Sequence, residues 1–191
     1  MTLILGVDPG AGGAFAVYCS ETRTITGIDD MPIWYQAVGK RKRKRVDALA
    51  LAEMFDLYEM LGVELVVMEA VGGRTGQSAS AGFVFGYGVG LIYMAALYSR
   101  IVIETVPPGT WKKAMNVPGK SKADDSAIIA RADEMFPKHR DLFRGVRGGK
   151  KVDRAEAAMM AKFGADHVLH TMGRLEGDER KLISQNADTG A

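Results

Sequence analysis

Three short β-rich segments open this chain in quick succession: "LILGVD" (3–8), "GAFAVYCS" (13–20) and "TRTITGID" (22–29), separated by turn material. Strands this close in sequence pair as a hairpin meander, so the fold must begin as antiparallel sheet. The period then changes. Leu51, Met54, Phe55, Tyr58 and Leu61 recur at helical spacing, and "VELVVME" (63–69) is a short buried strand ending in Glu69. The Gly- and Ser-rich "AVGGRTGQSASAG" (70–82) reads as a loop, Phe83 to Tyr98 as a helix and "IVIETV" (101–106) as a further strand. Beyond them, "PPGTWKKAMNVPGKSKADD" (107–125) is a Lys-rich loop or short helix, Ala123 to Phe136 is amphipathic, and "DRAEAAMMAKFGADHVL" (153–169) is an Ala/Met helix. There is no internal repeat and no interdomain linker. The order predicts one α/β domain over residues 1–175, a mixed sheet covered by helices, and a flexible tail over 176–191, where nothing is periodic.

The 191 residues suffice for one sizeable core, and 47% apolar with 25% charged content is ordinary for a globular protein. The single Cys19 excludes an internal disulfide framework. With no signal segment in front of Asp8, the expected setting is reducing and cytoplasmic. The longest uninterrupted apolar stretch, Gly88 to Tyr98, falls below the roughly 20 residues of a membrane helix, so it is read as a core or interface helix with no membrane partner. A formal charge of +2 hides strong local patterning.

Four acids stand on otherwise apolar elements. Asp8 ends the first strand and Glu69 the fourth, while Asp153 and Glu156 lie three apart, hence on one face, at the start of the Ala/Met helix. Each has an ordinary explanation: Asp8-Pro-Gly nucleates a turn, Glu69 is a solvated strand end, and Asp153 with Glu156 matches a helix cap followed by a capping-box Glu. The joint pattern is less easily dismissed. Converging carboxylates need cations, and hard oxygen ligands select Mg²⁺ or Mn²⁺. Two such ions about 4 Å apart suit phosphodiester hydrolysis. His139, His167 and His170 lack the companions of a zinc site.

"GVDPG" (6–10), "VVMEAV" (66–71), "FVFGYGVGLIYMAAL" (83–97), the "PPGTWKK…GKSK" stretch and "VDRAEAAMMA" (152–161) resemble, in order and spacing, the RuvC family of Holliday-junction resolvases. The resemblance spans roughly residues 3 to 170 and implies an α/β, RNase H-like fold, a mixed five-stranded sheet with helices on both faces. It further implies a homodimer that cuts four-way DNA junctions with Mg²⁺ or Mn²⁺, two ions per active site, on a tetrad of Asp8, Glu69, Asp153 and Glu156. Glu156 departs from the Asp that many family members carry; the charge is kept and the reach lengthened. The run Lys40 to Arg45 falls on an insertion to which the family assigns no role.

The cations fit a DNA partner. Lys40, Arg41, Lys42, Arg43, Lys44 and Arg45 are consecutive and would neutralise several phosphates, unless they form only a solvated loop or, in a nucleated cell, a localisation signal. Lys112 and Lys122 are candidates for stabilising charge on the reacting phosphate, with Lys113 and Lys120 as neighbouring DNA contacts. Arg74 lies in a loop whose small residues permit close approach of a DNA backbone, or which is simply a surface loop. Phe83, Phe85 and Tyr87 could include a wedge that opens the junction centre, but aromatics near a helix start are more often packing or dimer contacts, and packing is expected for most of them. Two other functions stay open: a nucleotide-binding domain of the actin-like or sugar-kinase type, for which neither usual phosphate motif is met, and a branched-DNA binder without catalysis.

Overall fold

The computed structural model of the chain describes residues 1–72, 76–117 and 124–169. The three opening segments form the expected meander of β1 (Leu3–Asp8), β2 (Ala14–Cys19) and β3 (Thr24–Asp30), antiparallel throughout. Two further strands, β4 (Ile33–Val38) and β5 (Arg41–Val46), come next as a separate antiparallel hairpin turning at Gly39, whose φ of 58° suits glycine. The basic run is therefore a strand and not a loop. Asp47 closes the hairpin by donating its backbone N–H to the Pro32 carbonyl (2.9 Å), and its side chain caps α1 (Ala48–Met60) by accepting from the Leu49 and Ala50 N–H groups.

The chain returns through β6 (Val63–Glu69) and α2 (Ala79–Tyr98) to β7 (Val102–Val106). Helix α2 begins four residues before Phe83, because Ser78 accepts the Ala81 N–H and caps it there. At 20 residues with a mean hydropathy of 1.6, α2 is long and apolar enough to cross a membrane by length and composition, although no uninterrupted apolar run reaches that length. One side of it, Gly88, Ile92, Ala95 and Ala96, is buried in the fold. The remaining helices are α3 (Pro108–Ala114), α4 (Asp124–Met135) and α5 (Val152–Phe163), with a 3₁₀ turn at Arg140–Phe143 and a π-helical extension of α5 at Gly164–Val168.

The main sheet has the order β3-β2-β1-β6-β7, with β1, β6 and β7 parallel. It is a mixed five-stranded sheet with helices on both faces, as the sequence predicts. Alternation along the strands divides the core. Leu3, Leu5, Val7, Val66 and Met68 meet Leu51, Phe55 and Tyr58 of α1 and Ile92 and Ala96 of α2. Ile4, Ala14, Ala16, Leu65 and Val67 meet Trp111, Ile129 and most of α5 on the opposite face. The tail expected over 176–191 lies outside the described residues.

Candidate active site at the carboxyl end of the sheet

Strand parity aims the first two acids. Ile4, Gly6 and Asp8 alternate onto the α5 face of β1, and Leu65, Val67 and Glu69 onto the same face of β6. The parallel register sets Val7 opposite Met68, so the next residues, Asp8 and Glu69, finish level at the carboxyl ends of neighbouring strands. In open α/β sheets that edge is where ligands bind.

Helix α5 brings the other two. It lies so close to β1 that a Cβ on Gly6 would stand 2.0 Å from the Ala157 carbonyl oxygen and 2.3 Å from the Ala161 nitrogen. Further down, a Cβ on Gly164 would strike Val67 at 2.6 Å and Ile4 at 2.9 Å. Gly6 thus lets the β1 backbone meet the helix backbone, Gly164 lets the helix settle onto the Val67 and Ile4 side chains, and α5 runs antiparallel to β1. Four helical residues back from Ala157 and two strand residues on from Gly6 cover a similar distance, ~6 Å at about 1.5 and 3.3 Å per residue, so Asp153 arrives over Asp8. The N-terminus of α5 is also tied across the sheet: Arg154 grips the Asp30 carboxylate through Nε (2.6 Å) and Nη2 (2.9 Å), and Lys151 Nζ joins it at 3.0 Å. Arg154 foremost, then Lys151, holds the Asp30 carboxyl down to about 2.

The capping-box explanation of Asp153 and Glu156 is not what the structure shows. Lys151 occupies the cap position of α5 and its side chain caps no helix N–H, and Asp153 sits inside the first turn. Nor is Glu69 merely solvated. It is half-buried, and its Oε2 accepts the indole N–H of fully buried Trp111 at 3.0 Å. The next residue of α3, Lys112, places Nζ 2.8 Å from Glu156 Oε1 and 5.0 Å from the Trp111 ring centroid.

The four carboxylates share one electrostatic environment. Burial pushes the Asp8 carboxyl well above the usual carboxylate range; the charges of Glu156 and Asp153, a hydrogen bond to Asp153 and the charge of Glu69 push it further. Among the described residues no three His, Cys, Asp or Glu side chains are arranged to hold a metal ion, since Glu69 and Glu156 are turned onto Trp111 and Lys112. The donor chemistry nevertheless fits a hard divalent cation: only oxygen ligands, mutually repelling, at the end of a parallel sheet. His139 is engaged elsewhere, 2.6 Å from the Thr24 hydroxyl.

The basic strand lies beside this edge. Register pairs Trp34 with Arg45 and Gln36 with Arg43, so these four share one face of the hairpin, while Lys42 and Lys44 take the other. Arg43 Nη1 donates to Ser80 Oγ on α2 at 3.0 Å, and Arg45 Nε to Gln36 Oε1 at 2.9 Å. A concavity of about 430 Å³ between β5 and the start of α2 reaches Gly10 and Ala11, just past Asp8. Lys40 stands at the hairpin turn and Arg41 at the start of β5. Lys113 is exposed on α3. Phe83 and Tyr87 do not pack into the core as expected; they are exposed and stack on one another with centroids 6.4 Å apart. Arg74, Lys120 and Lys122 lie outside the described residues. Sequence reasoning missed Trp111 and the Asp30 clamp, whose partners are 42 and 124 residues away. It also missed the hairpin, signalled only by the β-prone "IWYQAV" before Gly39.

No family model matches the chain, and no curated protein matches its sequence. Among solved structures, the fold resembles RuvC of Thermus thermophilus in complex with a Holliday junction substrate, with a TM-score of 0.57 and 12% identity over 85% of this chain and 94% of that one. A second structure of Thermus thermophilus RuvC aligns with a TM-score of 0.49 and 14% identity over 85% of this chain and 95% of that one. The mixed five-stranded sheet flanked by helices is a fold similar to that of RuvC, of the RNase H-like kind.

Proposed function

We propose that this chain is a divalent-metal-dependent endonuclease acting on branched DNA, and on four-way junctions in particular. The observation that carries the reading is the Asp8 carboxyl at the end of β1, hydrogen-bonded to Asp153 and within the fields of Glu156 and Glu69, with the Lys112 ammonium on Glu156. The fold shared with a protein solved on a Holliday junction supports the substrate class.

Asp8, Glu69, Asp153 and Glu156 would hold Mg²⁺ or Mn²⁺, two ions in each site, which supply charge neutralisation at the scissile phosphate and activation of water. Glu69 now accepts from the Trp111 indole and Glu156 from Lys112, so the Lys112 ammonium stands at the carboxylate edge, where it would be a donor to negative charge developing on the phosphate. Lys40 to Arg45 supply phosphate contacts beside the site, and Lys113 extends them on α3. From sequence alone, Lys120 and Arg74 are further DNA contacts and Lys122 shares with Lys112 the role of stabilising charge on the reacting phosphate.

A four-way junction presents two equivalent cut sites and suits a two-fold dimer. Met94, Leu97 and Tyr98 at the end of α2 are exposed, as are Leu57 of α1 and Leu61 just after it, and the two helix ends are joined by the Ser99 hydroxyl donating to Asp56 (3.4 Å). This apolar patch is the face proposed for the second copy.

Labelled four-way junction, Y-fork and linear duplex, each incubated with Mg²⁺, Mn²⁺ or EDTA, test the reading. It requires paired nicks in the junction with either metal and none in EDTA. Phosphate release from nucleotide without nicking would replace it with the nucleotide-binding alternative, and junction binding with no cleavage under any metal would leave only a binder.

A further inference from the structure

The surface between the β4–β5 hairpin and the first turns of α2 has no part in the carboxylate chemistry, yet it is built for a ligand. A concavity of about 340 Å³ there is walled by Trp34, Phe83 and Tyr87, with Gln36 and Arg45 at its edge. Its rings are left open: Trp34 is 47%, Tyr87 55% and Phe83 75% exposed. Phe83 and Tyr87 lie nearly parallel, 20° between planes, so they offer flat faces and not an irregular apolar surface. Arg45, held by Gln36, also borders the larger concavity, in which Arg43 donates to Ser80 and which ends at Gly10 and Ala11, just past Asp8. The two concavities share the Arg45 wall and together make a groove that is aromatic at one end and cationic at the other. None of the described residues lining it is acidic.

Planar rings beside a single-sign cationic track match single-stranded nucleic acid, whose bases stack on aromatic side chains while the backbone follows the positive groove. We propose that the Trp34–Phe83–Tyr87 concavity is a stacking site for an unpaired nucleobase, and that the Arg43 groove carries the backbone of the same strand toward the carboxylates. The site deepens the endonuclease reading and rests on it for the strand's direction; it would favour substrates with an unpaired nucleotide close to the branch.

The test needs no cleavage. In EDTA, anisotropy titrations compare labelled ten-residue oligothymidylate with a ten-residue abasic deoxyribose-phosphate chain of equal charge. Wild type should bind the thymidylate at least about tenfold more tightly, and Trp34→Ala or Tyr87→Ala should weaken that binding by about five- to 150-fold while leaving the abasic chain unchanged. Trp34→Phe should retain most of the affinity, which separates stacking from a folding defect. Equal affinity of wild type for the two chains would overturn the proposal. So would a Trp34→Ala variant that keeps its thymidylate affinity but changes oligomeric state by sedimentation, since the face would then belong to a second copy. A chain that shows base-dependent binding yet never nicks a junction loses the endonuclease reading and keeps this site; a chain that nicks without preferring bases loses this site alone.

Discussion

Lys112 and Glu156, 44 residues apart in sequence, meet through an ion pair of 2.8 Å between α3 and α5. The preceding residue, Trp111, donates to Glu69 on β6. One turn of a seven-residue helix therefore engages two of the four site carboxylates, and α3 joins the edge of the sheet to the helix laid across it. Its position is set by β7, which pairs Val106 with Glu69 and then breaks at Pro107.

Lys112→Ala should slow single-turnover cleavage of saturated junction on the order of a hundredfold, with a smaller effect on binding, because the variant has no cation matched to the transition state. Quench-flow at saturating protein measures it, and an unchanged rate would remove Lys112 from the chemistry.

Gly6→Ala should destabilise the fold by about 3 kcal/mol or more, at the upper end of overpacking costs. The added methyl meets backbone atoms of α5 and not a side chain that could rotate away. Urea unfolding checks this; a loss below about 1 kcal/mol would mean that α5 can lift from β1 at little cost.

Acid should loosen the start of α5. The Asp30 carboxyl is held at about 2, below its ordinary 3.8, chiefly by Arg154 and then Lys151. A depressed carboxyl stabilises the fold above the unfolded-state value, and that contribution is lost as pH falls through the folded value. Between about pH 4 and 2, wild type should therefore lose stability that Asp30→Asn has already lost at neutral pH. Thermal melts of the two proteins should converge toward pH 2; parallel curves across that window would show that the clamp contributes nothing.

Replacing Lys40 to Arg45 with Ser or Gln should raise the apparent Kd for DNA and flatten its salt dependence, by about 0.9 in slope for each duplex phosphate that is no longer neutralised. Cations away from the scissile bond act alike on ground and transition states, so the single-turnover rate at saturation should fall far less than in Lys112→Ala. An unchanged salt slope would return β5 to a solvated hairpin.

Local rules account for the part of the fold that was legible in the sequence. Short apolar runs in Leu3–Asp8 and Val63–Glu69 exposed both strands and their terminal acids, and the Ala/Met pattern after Val152 exposed a buried helix with two acids on one face. The opening meander and the helices on both faces come from the same periods. The hairpin was hidden because six cations mask a strand, although Trp34, Tyr35 and Val38 before Gly39 carry the β-prone half of it. Trp111 reads from sequence as an ordinary apolar residue, and only the fold sets its N–H on Glu69. Phe83 and Tyr87 failed as core residues for a related reason: every face of α2 is apolar, so periodicity could not show which one turns outward.

Cleavage by Asp8→Asn, set beside its binding and its stability, tests the carboxylate site most directly. The substitution removes one charge from a crowded, partly buried cluster and no DNA contact, so the variant should bind labelled four-way junction as wild type does, melt at an equal or higher temperature in EDTA, and make no nicks with Mg²⁺ or Mn²⁺. Nicking by Asp8→Asn at a rate near that of wild type would contradict the metal-site reading outright.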